Sequence, residues 1–69
     1  MKYTTYFSCK DTAWHIKEID ENKIKAGNIG STKYFEYEGM TYAGPIFDTK
    51  EQAYQSRELK FTSRRIIED

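Results

Sequence analysis

The 69-residue chain has no valine, and Leu59, Cys9, Pro45 and His15 are each the sole residue of their type. A single cysteine excludes an internal disulfide framework, and with it the small secreted scaffolds that depend on one; a reducing, cytoplasmic setting is expected. Net charge is also lacking, with eleven basic residues against eleven acidic ones. The strongly basic balance of a dedicated nucleic-acid binder is therefore absent, and self-association meets little charge repulsion. No apolar run approaches the roughly 18 residues of a membrane span. The opening Met1-Lys2-Tyr3-Thr4-Thr5 has no hydrophobic stretch and does not read as a signal peptide.

Aromatic residues and isoleucine take the place of the missing aliphatics. Six Tyr, four Phe and one Trp accompany the isoleucines and threonines, a composition that favours strands. Richness in Ile, Lys, Tyr, Phe and Asn also suits an A/T-rich genome such as that of many phages. The length allows one domain, spanning 1–69, and a chain this short buries only about 60% of its unfolded surface.

Alternation along Lys2–Cys9 places Tyr3, Thr5, Phe7 and Cys9 on one face and Thr4, Tyr6 and Ser8 on the other. Asp11-Thr12 breaks the pattern, and Ala13–Ile19 resumes it with Trp14 and Ile16 inward and His15 and Lys17 outward. A tight turn at Asp11-Thr12 pairs Cys9 with Trp14 and Phe7 with Ile16, giving a hairpin over 2–19 whose faces agree. Residues 20–32 read as a loop, with a short strand at Ile24–Ala26 and a flexible Gly27–Ser31. The clearest local signal is a hairpin over 33–47: Glu38-Gly39 forms a two-residue turn that sets Tyr37 against Met40 and Phe35 against Tyr42. Gly44-Pro45 bends the fourth strand, and Ile46-Phe47 continue it. Asp48 and Glu51 form a capping-box pattern that starts a helix over 49–63 with a frayed tail. The expected fold is α+β: a four-stranded antiparallel sheet, with a fifth strand at most, built from two hairpins, and one C-terminal helix packed on one face.

No constellation in the sequence assembles catalytic, metal or cofactor chemistry. His15 reads as a solvated surface residue without a second histidine to share a metal. Cys9 reads as a buried, inert thiol on the inward face. Gly27–Ser31 lacks the spacing and the Gly-Lys-Ser/Thr ending of a phosphate loop. The carboxylates Glu18, Glu21, Glu36 and Glu38 have no expected cleft to shift their ionisation.

Two surface features stand out. All the arginines, Arg57, Arg64 and Arg65, lie in the last thirteen residues with Lys60, and Phe61, Ile66 and Ile67 accompany them. Tyr6 and Tyr34 form an outer-face aromatic pair near cations. The expected function is non-enzymatic contact with another protein, a host protein or a second copy in a homodimer. A regulator or inhibitor encoded by a phage or other mobile element is the natural instance. The expected contact residues are Arg57, Lys60, Phe61, Arg64, Arg65, Ile66, Tyr6 and Tyr34. The alternative reading is a single-stranded nucleic-acid module that stacks bases on Tyr6 and Tyr34 and uses the basic C-terminal segment.

Overall fold

The computed structural model of the protein describes residues 1–29 and 32–69. Strands β1 (Lys2–Ser8), β2 (Ala13–Ile19), β3 (Lys25–Ile29), β4 (Thr32–Tyr37), β5 (Met40–Tyr42) and β6 (Ile46–Phe47) are followed by helices α1 (Lys50–Tyr54) and α2 (Arg57–Lys60) and strand β7 (Ile66–Glu68). The class is α+β, as the sequence predicts. The layering differs: there are two sheets, a four-stranded one in the order β6-β1-β2-β7 and a three-stranded one in the order β3-β4-β5.

The first hairpin forms with Tyr6 opposite His15, Phe7 opposite Trp14 and Ser8 opposite Ala13. The predicted pairing is displaced by two residues, because the connection is four residues long rather than two. Thr12 takes a left-handed φ of 51°, and Asp11 Oδ1 accepts from the Ala13 amide at 3.3 Å. Such longer loops commonly connect hairpin strands. A shift of two preserves which residues share a face. It moves Cys9 out of the strand, however, and the thiol is exposed rather than buried.

Both faces of the four-stranded sheet are covered, where the sequence suggests one open face. On the helix side Ile16, Ala53 and Leu59 are buried, and Tyr3, Trp14, Phe47, Tyr54 and Ile66 pack against them. On the other side Ile19 meets Phe35, Tyr37 and Tyr42 of the second sheet, with Tyr6 and Ile24 at the margin. Full burial of side chains such as Ile16 and Phe35 stabilises by roughly 1.5–3 kcal/mol each. The second face escapes a hydropathy reading because polar groups occupy part of it. Thr4 is 0% exposed, and its hydroxyl donates to the Pro45 carbonyl at 3.0 Å. A buried polar group that is hydrogen-bonded avoids most of its desolvation cost.

The second hairpin has the predicted register: Phe35 opposes Tyr42, Glu36 opposes Thr41 and Tyr37 opposes Met40. Glu38 and Gly39 have φ of 50° and 79°, the pair of positive values that a type I′ turn requires. Residues 20–32, expected as loop, contain a 3-10 turn at Glu21–Lys23 and all of β3. Gly27 belongs to that strand, and the Gly30-Ser31 end of the predicted flexible stretch lies outside the described residues.

Three corrections concern the C-terminal third. Ile46-Phe47 do not extend β5; they cross to the other sheet, opposite Thr4 and Tyr3. The helix expected over 49–63 is two short ones. Thr49, not Asp48, is the N-cap, its Oγ1 accepting from the Gln52 amide at 3.1 Å. Ser56 ends α1 by donating from its hydroxyl to the Ala53 carbonyl at 2.6 Å, and its own extended backbone restarts the chain as the cap of α2. Serine competes with helical hydrogen bonding in this way. The tail is a strand, β7, which runs parallel to β2 with Trp14 opposite Ile66 and His15 opposite Ile67.

Candidate functional site

His15 is not a solvated surface residue. It is 9% exposed and stands on the sheet face that the second sheet covers. Its Nδ1 lies 2.7 Å from Asp69 Oδ1 and its Nε2 lies 2.9 Å from Asp11 Oδ2. Ionised carboxylates only accept, so both ring nitrogens must carry hydrogen for both bonds to form, and the ring is then an imidazolium. The Tyr6 ring stacks on it at 4.8 Å and 11°, and the Tyr6 hydroxyl donates to Asp69 Oδ2 at 2.5 Å.

The electrostatics follow from these contacts. The hydrogen bond to Asp69 is the leading cause that raises His15; burial opposes it, and the bond to Asp11 adds to it. Burial pushes the Asp69 carboxyl up, but the hydrogen bonds from Tyr6 and His15 outweigh it and hold Asp69 below its usual value. Asp11 is likewise held low, with burial opposed by the bond from His15. Burial, then the bond to Asp69, raises the Tyr6 phenol. An imidazolium with both N–H groups engaged has no lone pair for a proton or a metal. The cluster is a clasp that joins the β1–β2 turn to the end of β7, and it takes Tyr6 out of the expected surface set.

The other expected contact residues divide in three. Ile66 packs in the helix-side core. Tyr34 is half-buried with its ring over Gly27, where an added Cβ would lie 2.8 Å from the ring; it lines a cleft of about 280 Å³ with Ile24, Phe35 and Ile46. Arg57, Lys60, Phe61, Arg64 and Arg65 remain exposed.

Within that exposed group Arg64 adjoins Phe7, and the Arg65 carbonyl accepts from the Trp14 amide; the sequence assigns both of these aromatics to the core. Phe7 is 37% exposed and meets the half-buried Trp14 edge-on at 5.5 Å between ring centroids. The Arg64 guanidinium carbon lies 5.2 Å from the centre of the Phe7 ring, within cation–π range. Phe61 is 79% exposed at the end of α2, with Lys60 Nζ 5.7 Å from its ring centre. Among the described residues none of Arg57, Lys60, Arg64 and Arg65 forms an ion pair within 4.0 Å.

Phe7 and Trp14 also line an open cleft of about 330 Å³, closed on its other sides by Ala43, Pro45 and Glu58. No signal in the sequence marks Phe7, because β6, two residues long and covering only the Tyr3–Thr4 end of β1, shows its pairing only in the fold. The surface therefore combines exposed aromatics, unpaired cations and an apolar recess. No family model, curated protein or solved structure matches the chain.

Proposed function

We propose that this is a non-enzymatic binding protein that acts by contact with another protein, through the face built from Phe7, Trp14, Phe61 and Arg64. The observation that carries the reading is Phe7, 37% exposed with the Arg64 guanidinium over its ring, together with Phe61, 79% exposed three residues before that arginine. A marginally stable domain gains nothing from solvating two phenylalanines, and aromatics with arginine are the residues that anchor interfaces. A regulator or inhibitor carried by a phage or other mobile element, directed at a host protein, fits the size and composition.

The nucleic-acid alternative is weaker on specific grounds. Tyr6 is occupied by His15 and Asp69, so the outer-face stacking pair loses one of its two members. The test is affinity capture from host extract by the wild type and by Phe61→Ala and Arg64→Ala, each checked for folding. The same protein should be captured by the wild type and lost, or strongly depleted, with both variants. Undiminished capture by both would contradict the reading.

A further inference from the structure

Strand β1 is paired with β2 along its whole length, but its other edge is only partly covered. There β6 opposes Tyr3 and Thr4 alone. The next residue is covered by Gly44, whose backbone approaches so closely that an added Cβ would stand 2.7 Å from the Thr5 carbonyl oxygen. Beyond it, at Tyr6–Ser8, no strand lies on that side among the described residues. The cleft bounded by Phe7, Trp14, Pro45 and Glu58 begins at this edge.

A free edge and an apolar recess beside it form the arrangement by which an extended peptide adds to a sheet. Main-chain hydrogen bonds supply affinity, and alternate side chains find the recess. The charge around it is mainly positive: Glu58 lines the cleft, but residues 57–65 carry four cations against that one carboxylate. Arg64 lies over Phe7, Arg57 and Lys60 flank Glu58 on α2, and Arg65 sits one residue from the Ile66 that pairs with Trp14. An acidic segment would complement that excess of cations.

Building on the protein-contact reading above, we propose that the Tyr6–Ser8 edge receives an extended acidic segment of the partner, which adds a strand to β1 and seats an apolar side chain between Phe7, Trp14 and Pro45. Specificity then has two sources: the recess selects a bulky apolar residue, and Arg64 with its neighbours selects carboxylates before or after it.

The experiment is selection of a displayed random octapeptide library against the full chain. The best sequence is then synthesised and titrated into isotope-labelled protein followed by NMR. The expected result is enrichment of Asp and Glu around an apolar residue, with shifts at the Tyr6–Ser8 amides and the Trp14 indole. N-methylation of alternate peptide bonds on the edge-facing side, and separately Arg64→Glu, should each weaken binding about tenfold or more. The proposal is overturned by enrichment of neutral or basic sequences, by no enrichment, by shifts confined to other residues, or by N-methylated peptides that bind equally well. Tighter binding of single-stranded oligo-dT at the same residues would also overturn it, as would a concentration-dependent dimer that shifts them without peptide. Loss of the cellular partner in Phe61→Ala and Arg64→Ala, alongside any of these failures, leaves the protein-contact reading standing and removes only the strand-edge mode. Capture undiminished in both variants removes that reading itself.

Discussion

At the residue scale, His15 changes most between sequence and structure. A lone histidine on the face that alternates with Trp14 and Ile16 looks solvated, yet its ring bridges residues four and fifty-four positions away. The pH dependence follows from the directions of the shifts. The folded pKa of His15 is raised, so its contribution is complete below the unfolded value of about 6.5 and is lost as pH rises through the folded value. Asp69 and Asp11 are depressed, so their contribution is present above the unfolded carboxyl range and is lost as pH falls through their folded values. Thermal stability should therefore be greatest in weakly acidic buffer and decline into the alkaline range. In a domain of this size each lost kcal/mol lowers Tm by about 4–8 °C. His15→Gln should lower Tm in weak acid and flatten the alkaline decline, as read by circular dichroism melts. An unchanged profile in that variant would remove the clasp from the account. Cys9 gives a second residue-scale expectation. It lies exposed in the β1–β2 turn, so a thiol reagent should label it in native buffer without prior unfolding. Protection equal to that of a core thiol would contradict the four-residue turn.

At the element scale, stability is unevenly shared. Helices of five and four residues have no stability of their own and persist because Ala53 and Leu59 are buried against β2. Strand β7 is three residues long and is held from several sides. The Trp14 amide donates to the Arg65 carbonyl at 3.0 Å and the Asp69 amide to the Ile16 carbonyl at 2.9 Å. Tyr54 donates to Glu68 at 2.5 Å, and Lys50 pairs with the same carboxylate at 2.9 Å. Ile66 faces the helix-side core, so Ile66→Ala should lower unfolding free energy by about 1–2 kcal/mol, below the 2–5 of a fully buried site. Urea unfolding measures it; a variant as stable as the wild type would return Ile66 to the surface set. The second hairpin was legible because its determinants are adjacent: Glu38 and Gly39 set the turn, and the turn sets the register. Strand β7 was not legible, since Ile66-Ile67 pair with residues some fifty positions earlier and no neighbouring residue announces it. The first hairpin was legible in its faces but not in its register. Nothing in Thr12 as a letter says that it adopts a left-handed φ.

At the scale of the whole molecule, two sheets and a pair of helices leave one side incompletely covered. The helix side of β1 and β2 is closed over Ile16, and the opposite side is closed over Ile19. An open stretch lies past the end of β6, where Phe7, Trp14, Pro45 and Glu58 of α2 meet. Half of that surface is legible in the sequence. Phe61 and the arginines stand out by their clustering, whereas Phe7 and Trp14 do not, because strict alternation assigns them to a core. Tyr6 and Ile66 were counted as surface because neither the clasp nor β7 could be seen without the fold.

Partner contact is proposed to run through this side. Its most direct test is a titration of the captured partner against the wild type, Arg64→Ala and Lys25→Ala, the last an exposed change on β3. Arg64→Ala should weaken binding by about 1–3 kcal/mol, roughly 5- to 150-fold in Kd, while Lys25→Ala binds as the wild type does. Equal affinity for all three proteins, or a loss confined to Lys25→Ala, would contradict the account.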